Sequence, residues 1–377
     1  VSDDSATTRL PVSVLTGFLG SGKTTLLQHL LHHPGMARTA VVINEFGEIG
    51  LDHLLVAKAS ENMVLMDSGC ICCSVRGDLV ETLRDLFLKR VRGDIPEFDR
   101  VVIETTGLAD PAPIIHTLMS EPLLAARFRL DGVISTVDAV HGSGQLDNNP
   151  ESVKQAAVAD RIVLTKTDAA SPAATVELLR RLAAVNPAAP VIPAAFGAVD
   201  PATLFNAGLY NPETKSPDVA RWLNEEAYRK GAHGHGHVHD HDHGDHCGHD
   251  CGHDHHGHDH GHDHHGHAHD PNRHDDRIRA FCMTLDDPIP WDRFVDFMES
   301  LIALRGADLL RIKGILNVKE SGGLPVVVHG VQHMFHPPVR LDAWPSDDRR
   351  TRLVFITRDV GRSVIEDLFK AVVTDTP

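Results

Sequence analysis

The chain has 377 residues, 36 Lys and Arg against 52 Asp and Glu, and a formal net charge of -16 with its 28 histidines neutral. That balance argues against nucleic acid or anionic lipid as a partner and favours cations. The length exceeds the usual single-domain range, no apolar run is long enough to span a membrane, and Ser2-Asp3-Asp4-Ser5 is not the opening of a secretory signal, so a two-domain cytoplasmic protein is expected.

The first apolar run, Val12-Ser13-Val14-Leu15, leads into Gly17, four residues, then Gly22-Lys23-Thr24. This is the Gly-x4-Gly-Lys-Ser/Thr phosphate-loop pattern, in the strand, turn and helix context that supports it over a chance match. Its nucleotide-binding set is Gly17, Gly20, Ser21, Gly22, Lys23, Thr24 and Thr25. The glycines let backbone N–H groups close around phosphates, Lys23 reaches the terminal phosphates, and the Thr24 hydroxyl is suited to Mg2+.

Further along, Gly69 precedes Cys70, Cys72 and Cys73 in a Cys-x-Cys-Cys cluster. Thiolates are soft donors suited to Zn(II), and imidazole or carboxylate can complete a four-coordinate shell. Residues two apart in an extended turn point the same way, so Cys70 and Cys72 can hold one ion, whereas Cys73 faces elsewhere unless the turn is irregular. Buried cysteines packing as small hydrophobes are the plainer alternative. A disulfide is disfavoured, because adjacent cysteines bridge poorly and nothing indicates secretion.

Arg100-Val101-Val102-Ile103 reads as a buried strand ending in Glu104-Thr105-Thr106-Gly107. Ligands of open parallel sheets bind at that edge, so Glu104 is assigned to Mg2+, directly or through water, and the Gly107 N–H to the γ-phosphate. Ile162-Val163-Leu164 delivers Thr165-Lys166-Thr167-Asp168 at another strand end. Asp168 can accept both donors of guanine, which favours GTP over ATP, although Thr165 departs from the usual Asn-Lys-x-Asp pattern. A solvated Lys and Asp is the alternative, and Lys166 and Asp168 join the nucleotide set only in register with the other motifs.

Seven apolar runs, at Val12, Val41, Val64, Val101, Val133, Ile162 and Val191, alternate with helical stretches such as Thr24 to Leu31, Leu79 to Val91 and Ala174 to Val185. Alternation of this kind predicts an α/β, doubly wound domain with a mostly parallel sheet over 8–210. From His233 to His269 the chain is almost only His, Asp and Gly, with Cys247 and Cys251. Such composition cannot bury a core. It predicts a disordered linker over 231–275 that binds several Zn, Ni, Co or Cu ions with little selectivity, or an inert tether. Over 276–377 a smaller α+β domain is expected, with strands at Ile278 to Leu285, Leu309 to Val318, Pro325 to Val331 and Arg352 to Ile356 and helices at Trp291 to Leu304 and Val364 to Val373. His329, His333 and His336 within it could form a metal or client surface, but lone histidines on strands are more often structural and are given no site role. Val1 in place of Met suggests a trimmed or partial start.

The chain resembles the CobW-type metallochaperone GTPases, relatives of the urease and hydrogenase nickel-insertion GTPases. The likeness rests on Leu15 to Leu27, Asn44-Glu45-Phe46-Gly47-Glu48, Gly69-Cys70-Ile71-Cys72-Cys73 and Glu104 to Pro111, and it extends over nearly the whole chain. It implies that Asn44 to Asp52 is switch I and that the cysteine cluster is a metal site linked to it. Some relatives carry a further Glu where this chain has Ile43, so no ligand is carried over there, and Glu45 and Glu48 are the nearby carboxylates for the transition metal.

The expected function is a GTPase using GTP/GDP, Mg2+ and Zn2+ (with Co2+ or Ni2+ open) to control delivery of the metal to a client apoprotein. A passive metal buffer with incidental GTP turnover is the second class. A small-molecule kinase is the third, disfavoured by Asp168 and by the lack of an obvious acceptor pocket.

Overall fold

The computed structural model describes residues 9–43, 64–67, 75–205 and 277–374. Each of the seven apolar runs forms a strand: β1 (Leu10–Gly17), β2 (Thr39–Ile43), β3 (Val64–Asp67), β4 (Arg100–Glu104), β5 (Phe128–Asp138), β6 (Arg161–Thr165) and β7 (Val191–Pro193). They lie in the order β3-β2-β4-β1-β5-β6-β7, and every pairing is parallel. Parallel strands bury both faces, which explains the continuous apolar runs. Val41, Val102 and Val163 pack on one face with Leu26, Leu27 and Leu30 of α1 (Lys23–Leu31). Val42, Val101 and Ile103 face the opposite layer, which holds α2 (Val75–Arg92) and α3 (Ala112–Ser120). Each fully buried Val, Leu or Ile contributes roughly 1.5–3 kcal/mol.

Four further helices complete the domain: α4 (Pro122–Arg127), α5 (Gly142–Asn148), α6 (Pro150–Val158) and α7 (Pro172–Val185), with a single turn, α8 (Pro201–Leu204), after β7. Helices α3 to α6 were not separately expected. They are short, and α4 and α6 begin on Pro122 and Pro150, so loop signals mask them in the sequence.

The C-terminal region runs β8 (Ile278–Leu285), α9 (Trp291–Arg305), β9 (Leu309–Asn317), β10 (Pro325–Val331), β11 (Met334–Phe335), β12 (Val339–Arg340), β13 (Thr351–Arg358) and α10 (Arg362–Phe369). Its antiparallel sheet has the order β11-β10-β9-β13-β8, with β12 also on β10. The expected final helix ends sooner than Val373, passing into a π-helical turn over Lys370–Thr374.

One face of this sheet packs on α9 and α10 through Phe297, Phe355 and Phe369. The other shares an apolar core with the parallel domain, where Leu310, Val327 and Ile356 join Ala112, Val153 and Ala157. Within that contact the buried Asp160 carboxylate accepts from Arg311 at 2.6 Å and Lys313 at 3.0 Å, and Arg311 also donates to the Val158 carbonyl. His329 and His336 stack nearby with ring centroids 4.7 Å apart. Burial holds His336 down to about 4 and His329 well below its ordinary value, so both rings are uncharged at neutral pH.

Candidate functional site

The strand order reverses at β1, which has β4 on one side and β5 on the other. A cleft of about 870 Å³ opens there at the C-terminal strand ends, lined by Gly20, Gly22, Lys23, Thr24, Thr25, Glu104, Gly107 and Lys166 among others. Open α/β sheets bind ligands at such a switch point. Two stretches far apart in sequence, 17–25 and 104–107, therefore meet in one cavity.

The loop between β1 and α1 is held by its neighbours. Gly17 adopts φ 143°, and a side chain there would collide with the Thr136 hydroxyl of β5. Ser21 Oγ shares a 2.6 Å hydrogen bond with that same hydroxyl, and Thr165 Oγ1 donates to the Ser21 carbonyl at 2.6 Å. The residue that departs from the Asn-Lys-x-Asp pattern thus ties β6 to the loop. Lys23 Nζ curls back onto the carbonyls of Gly17 (2.8 Å) and Phe18 (3.2 Å), and the first turn of α1 presents its N-terminal end to the cleft. Backbone amides and a helix dipole so arranged favour an anion.

Glu104 ends β4, with its Oε1 3.5 Å from Thr24 Oγ1. These are hard oxygen donors on facing elements, the type Mg2+ prefers, which binds oxygens at about 2.0–2.1 Å and so brings neighbouring ligands to roughly 3 Å from each other. The residues fit that ion. Gly107 packs so tightly on Leu19 that a Cβ would lie 2.7 Å from the Leu19 amide nitrogen, so only glycine brings this backbone against the phosphate loop. Its carbonyl accepts from Gln155 Nε2 of α6 at 3.2 Å, and the same nitrogen donates to Ala109 O at 2.9 Å.

Lys166 and Asp168 follow β6 on the far side of the cleft. Lys166 holds φ 55°, a left-handed conformation few side chains adopt, and lines the cavity, while Asp168 is exposed in the turn beyond it. Sequence reasoning missed Asp138, which ends β5 and pins Lys166 Nζ at 2.6 Å. The other oxygen of Asp138 accepts the amides of Val140 (2.8 Å) and His141 (3.1 Å). Burial works to raise its pKa, but the bonds from Lys166, His141 and Val140 hold it below the usual range. An acidic residue closing an apolar run, the signal that marked Glu104, was present there too.

The assigned metal ligands Cys70, Cys72, Cys73, Glu45 and Glu48 lie outside the described residues, as do 44–52 and the histidine-rich segment. Among the described residues no group of three His, Cys, Asp or Glu is placed to hold a metal ion, and no helix is long and apolar enough to cross a membrane.

Residues 11–193 match the family described as CobW/HypB/UreG, nucleotide-binding domain, and residues 278–373 match the cobalamin synthesis protein cobW C-terminal domain. The zinc chaperone YjiA of Escherichia coli is 46% identical over 197 residues, covering 52% of this chain and 61% of that protein. The zinc-regulated GTPase metalloprotein activator 1 of Schizosaccharomyces pombe is 33% identical over 207 residues, covering 53% and 49%. These alignments span about half to three fifths of the curated relatives. A crystal structure of Zn(II)-bound YjiA GTPase from E. coli superposes with a TM-score of 0.66 at 28% identity, covering 97% of this chain and 99% of that one.

Proposed function

This chain belongs to the CobW/HypB/UreG family, and we propose on that premise that it hydrolyses GTP and uses the nucleotide switch to deliver a transition metal, zinc foremost, to a client apoprotein. The observation that carries the nucleotide half is the meeting of Lys23 and Thr24 with Glu104 and Gly107 in one cleft. The cargo half is supported by relatives named for zinc and by the Cys70, Cys72 and Cys73 cluster.

The residues divide the work as follows. Lys23 exchanges its two carbonyl partners for the terminal phosphates, and the amides of 20–25 enclose the phosphate chain. Thr24 and Glu104 hold Mg2+, which when bound neutralises charge on the β- and γ-phosphates. The Gly107 N–H contacts the γ-phosphate, so the loop it belongs to orders in the GTP state and relaxes with GDP. Asp168 accepts the two guanine donors, with Lys166 fixed beside it by Asp138. Switch I at 44–52 and the cysteine loop at 70–73 follow β2 and β3 in the sequence.

The buffer reading is favoured by one feature, the dense histidines of 233–269. Titration of zinc, cobalt and nickel into the full chain, with a GTP analogue, with GDP and without nucleotide, separates the two. The switch predicts tighter metal binding in the GTP state by about fivefold to a hundredfold, or about 1 to 3 kcal/mol, with metal strengthening GTP binding by the same factor. Joint Cys70→Ser and Cys72→Ser replacement should erase this dependence and the thiolate-to-cobalt charge-transfer band. Equal metal affinity with GTP and GDP would leave the buffer reading standing.

A further inference from the structure

The β10–β11 hairpin of the C-terminal domain turns at Gln332 and His333, with Val331 paired to Met334. Gln332 sits at φ 54°, in the left-handed region that favours glycine. Its side chain reaches across the domain contact, where Nε2 donates to Asp110 Oδ2 at 3.2 Å. Asp110 lies three residues beyond Gly107. Its Oδ2 also accepts from Lys154 of α6 at 3.1 Å, and its Oδ1 caps the Ala112 amide at the start of α3 at 3.0 Å.

A second set of contacts clamps the same hairpin to α3. His116 Nε2 lies 2.9 Å from the Val331 carbonyl, and the His116 and His333 rings meet edge to face at 4.7 Å. Both flanks of Gln332 are thus fastened to the segment that continues from the phosphate-sensing loop. On the other side of that loop, Gln155 holds the carbonyls of Gly107 and Ala109. The loop is therefore suspended between α6 and a hairpin of the other domain, and a backbone that is strained at Gln332 is kept where its amide meets Asp110.

We propose that Gln332 is a positioning residue for the nucleotide site, setting Asp110 and through it the Gly107 N–H, so that γ-phosphate occupancy and docking of the hairpin are linked. The proposal rests on the reading of Gly107 as the γ-phosphate contact. Linkage then requires the C-terminal domain to feel the nucleotide state, because whatever fixes the loop for GTP also fixes Asp110 for Gln332.

The test uses the full chain with isothermal titration of a GTP analogue and of GDP. Gln332→Glu sets a carboxylate against Asp110 and should lower GTP-analogue affinity about three- to tenfold, with GDP affinity within about twofold of wild type, since GDP offers nothing to Gly107. Gln332→Lys, of similar size and opposite charge, should preserve or raise GTP-analogue affinity. Denaturant midpoints matching wild type in both variants, with the loss confined to Gln332→Glu and to the GTP analogue, exclude misfolding as its cause. In an Asp110→Asn background the difference between Glu and Lys at 332 should collapse. Equal nucleotide affinities for wild type, Gln332→Glu and Gln332→Lys, in a protein that does prefer the GTP analogue, would overturn the positioning role alone. A wild-type protein that binds GTP analogue and GDP equally would overturn the γ-phosphate reading and this inference together.

Discussion

Asp160→Asn tests what holds the two domains together. The wild-type carboxylate is buried between Arg311 at 2.6 Å and Lys313 at 3.0 Å, and it accepts the Val133 amide at 3.0 Å. Burial works to raise its pKa, but the two cations and these hydrogen bonds hold it at about 2 against an ordinary 3.8. That depression is worth about 2 kcal/mol of stability. Because the folded value lies below the unfolded one, the contribution is complete above pH 3.8 and is lost as pH falls toward 2. Substitution, like protonation but at every pH, leaves Arg311 and Lys313 buried without that carboxylate. Breaking a buried pair in this way costs about 3–5 kcal/mol. Burial already pushes Lys313 down to about 8 against the pull of Asp160, so in the variant it should release its proton near neutral pH. Denaturant unfolding followed by tryptophan fluorescence in a Trp222→Phe background, which leaves Trp291 and Trp344 of the C-terminal domain as the reporters, should show that domain releasing first. The loss should barely respond to salt, because screening does not reach a buried pair. A cost under about 1 kcal/mol would show that apolar contact alone fixes the docking, and the argument from Asp160 would fail.

Lys23→Ala should cut GTP hydrolysis by about a hundredfold or more while the fold persists, and near-normal turnover would remove the phosphate-loop assignment. Asp168→Asn should weaken GTP binding by at least about tenfold with little effect on any ATP binding, since an amide cannot accept both guanine donors; an unchanged GTP preference would place base recognition elsewhere. Stability should decline as pH falls from 6.5 toward about 4, because burial keeps His336 and His329 neutral while the unfolded chain takes up protons there. His336 alone accounts for about 3 kcal/mol of this slope, and His336→Asn should flatten it in a pH series of denaturant midpoints.

What the sequence discloses about this chain depends on the range of the interaction. The seven parallel strands were legible because a strand buried on both faces must be an apolar run, as Val101-Val102-Ile103 is. The phosphate loop was legible because its tight turn forces glycine, through positive φ at Gly17 and Gly22 and the close Thr136 hydroxyl at Gly17. The buried His329 on β10 and the half-buried His336 just beyond β11 stack their rings, a pairing that no local pattern announced. Thr165 shows where local patterning misleads. Its departure from Asn counted against the guanine motif, yet its hydroxyl bonds the Ser21 carbonyl of the loop across 144 positions of sequence.

The residues that escaped the sequence also act through contacts between distant positions. Asp138 holds Lys166 from 28 positions away, Gln155 holds Gly107 from 48, and Gln332 reaches Asp110 from 222. None belongs to a pattern with a period, because the chain passes through helices and strands of different length between the partners. Two of these contacts involve a residue with an unusual backbone. Lys166 and Gln332 both hold positive φ without being glycine, a cost that persists only where the surroundings over-determine it. At Lys166 the side chain so placed is held by the Asp138 carboxylate inside the nucleotide domain. At Gln332 the two-residue hairpin between Val331 and Met334 itself calls for positive φ, and the turn so formed carries the side chain to Asp110 in the other domain, so the proposed link from the C-terminal hairpin to the nucleotide loop runs through that one contact.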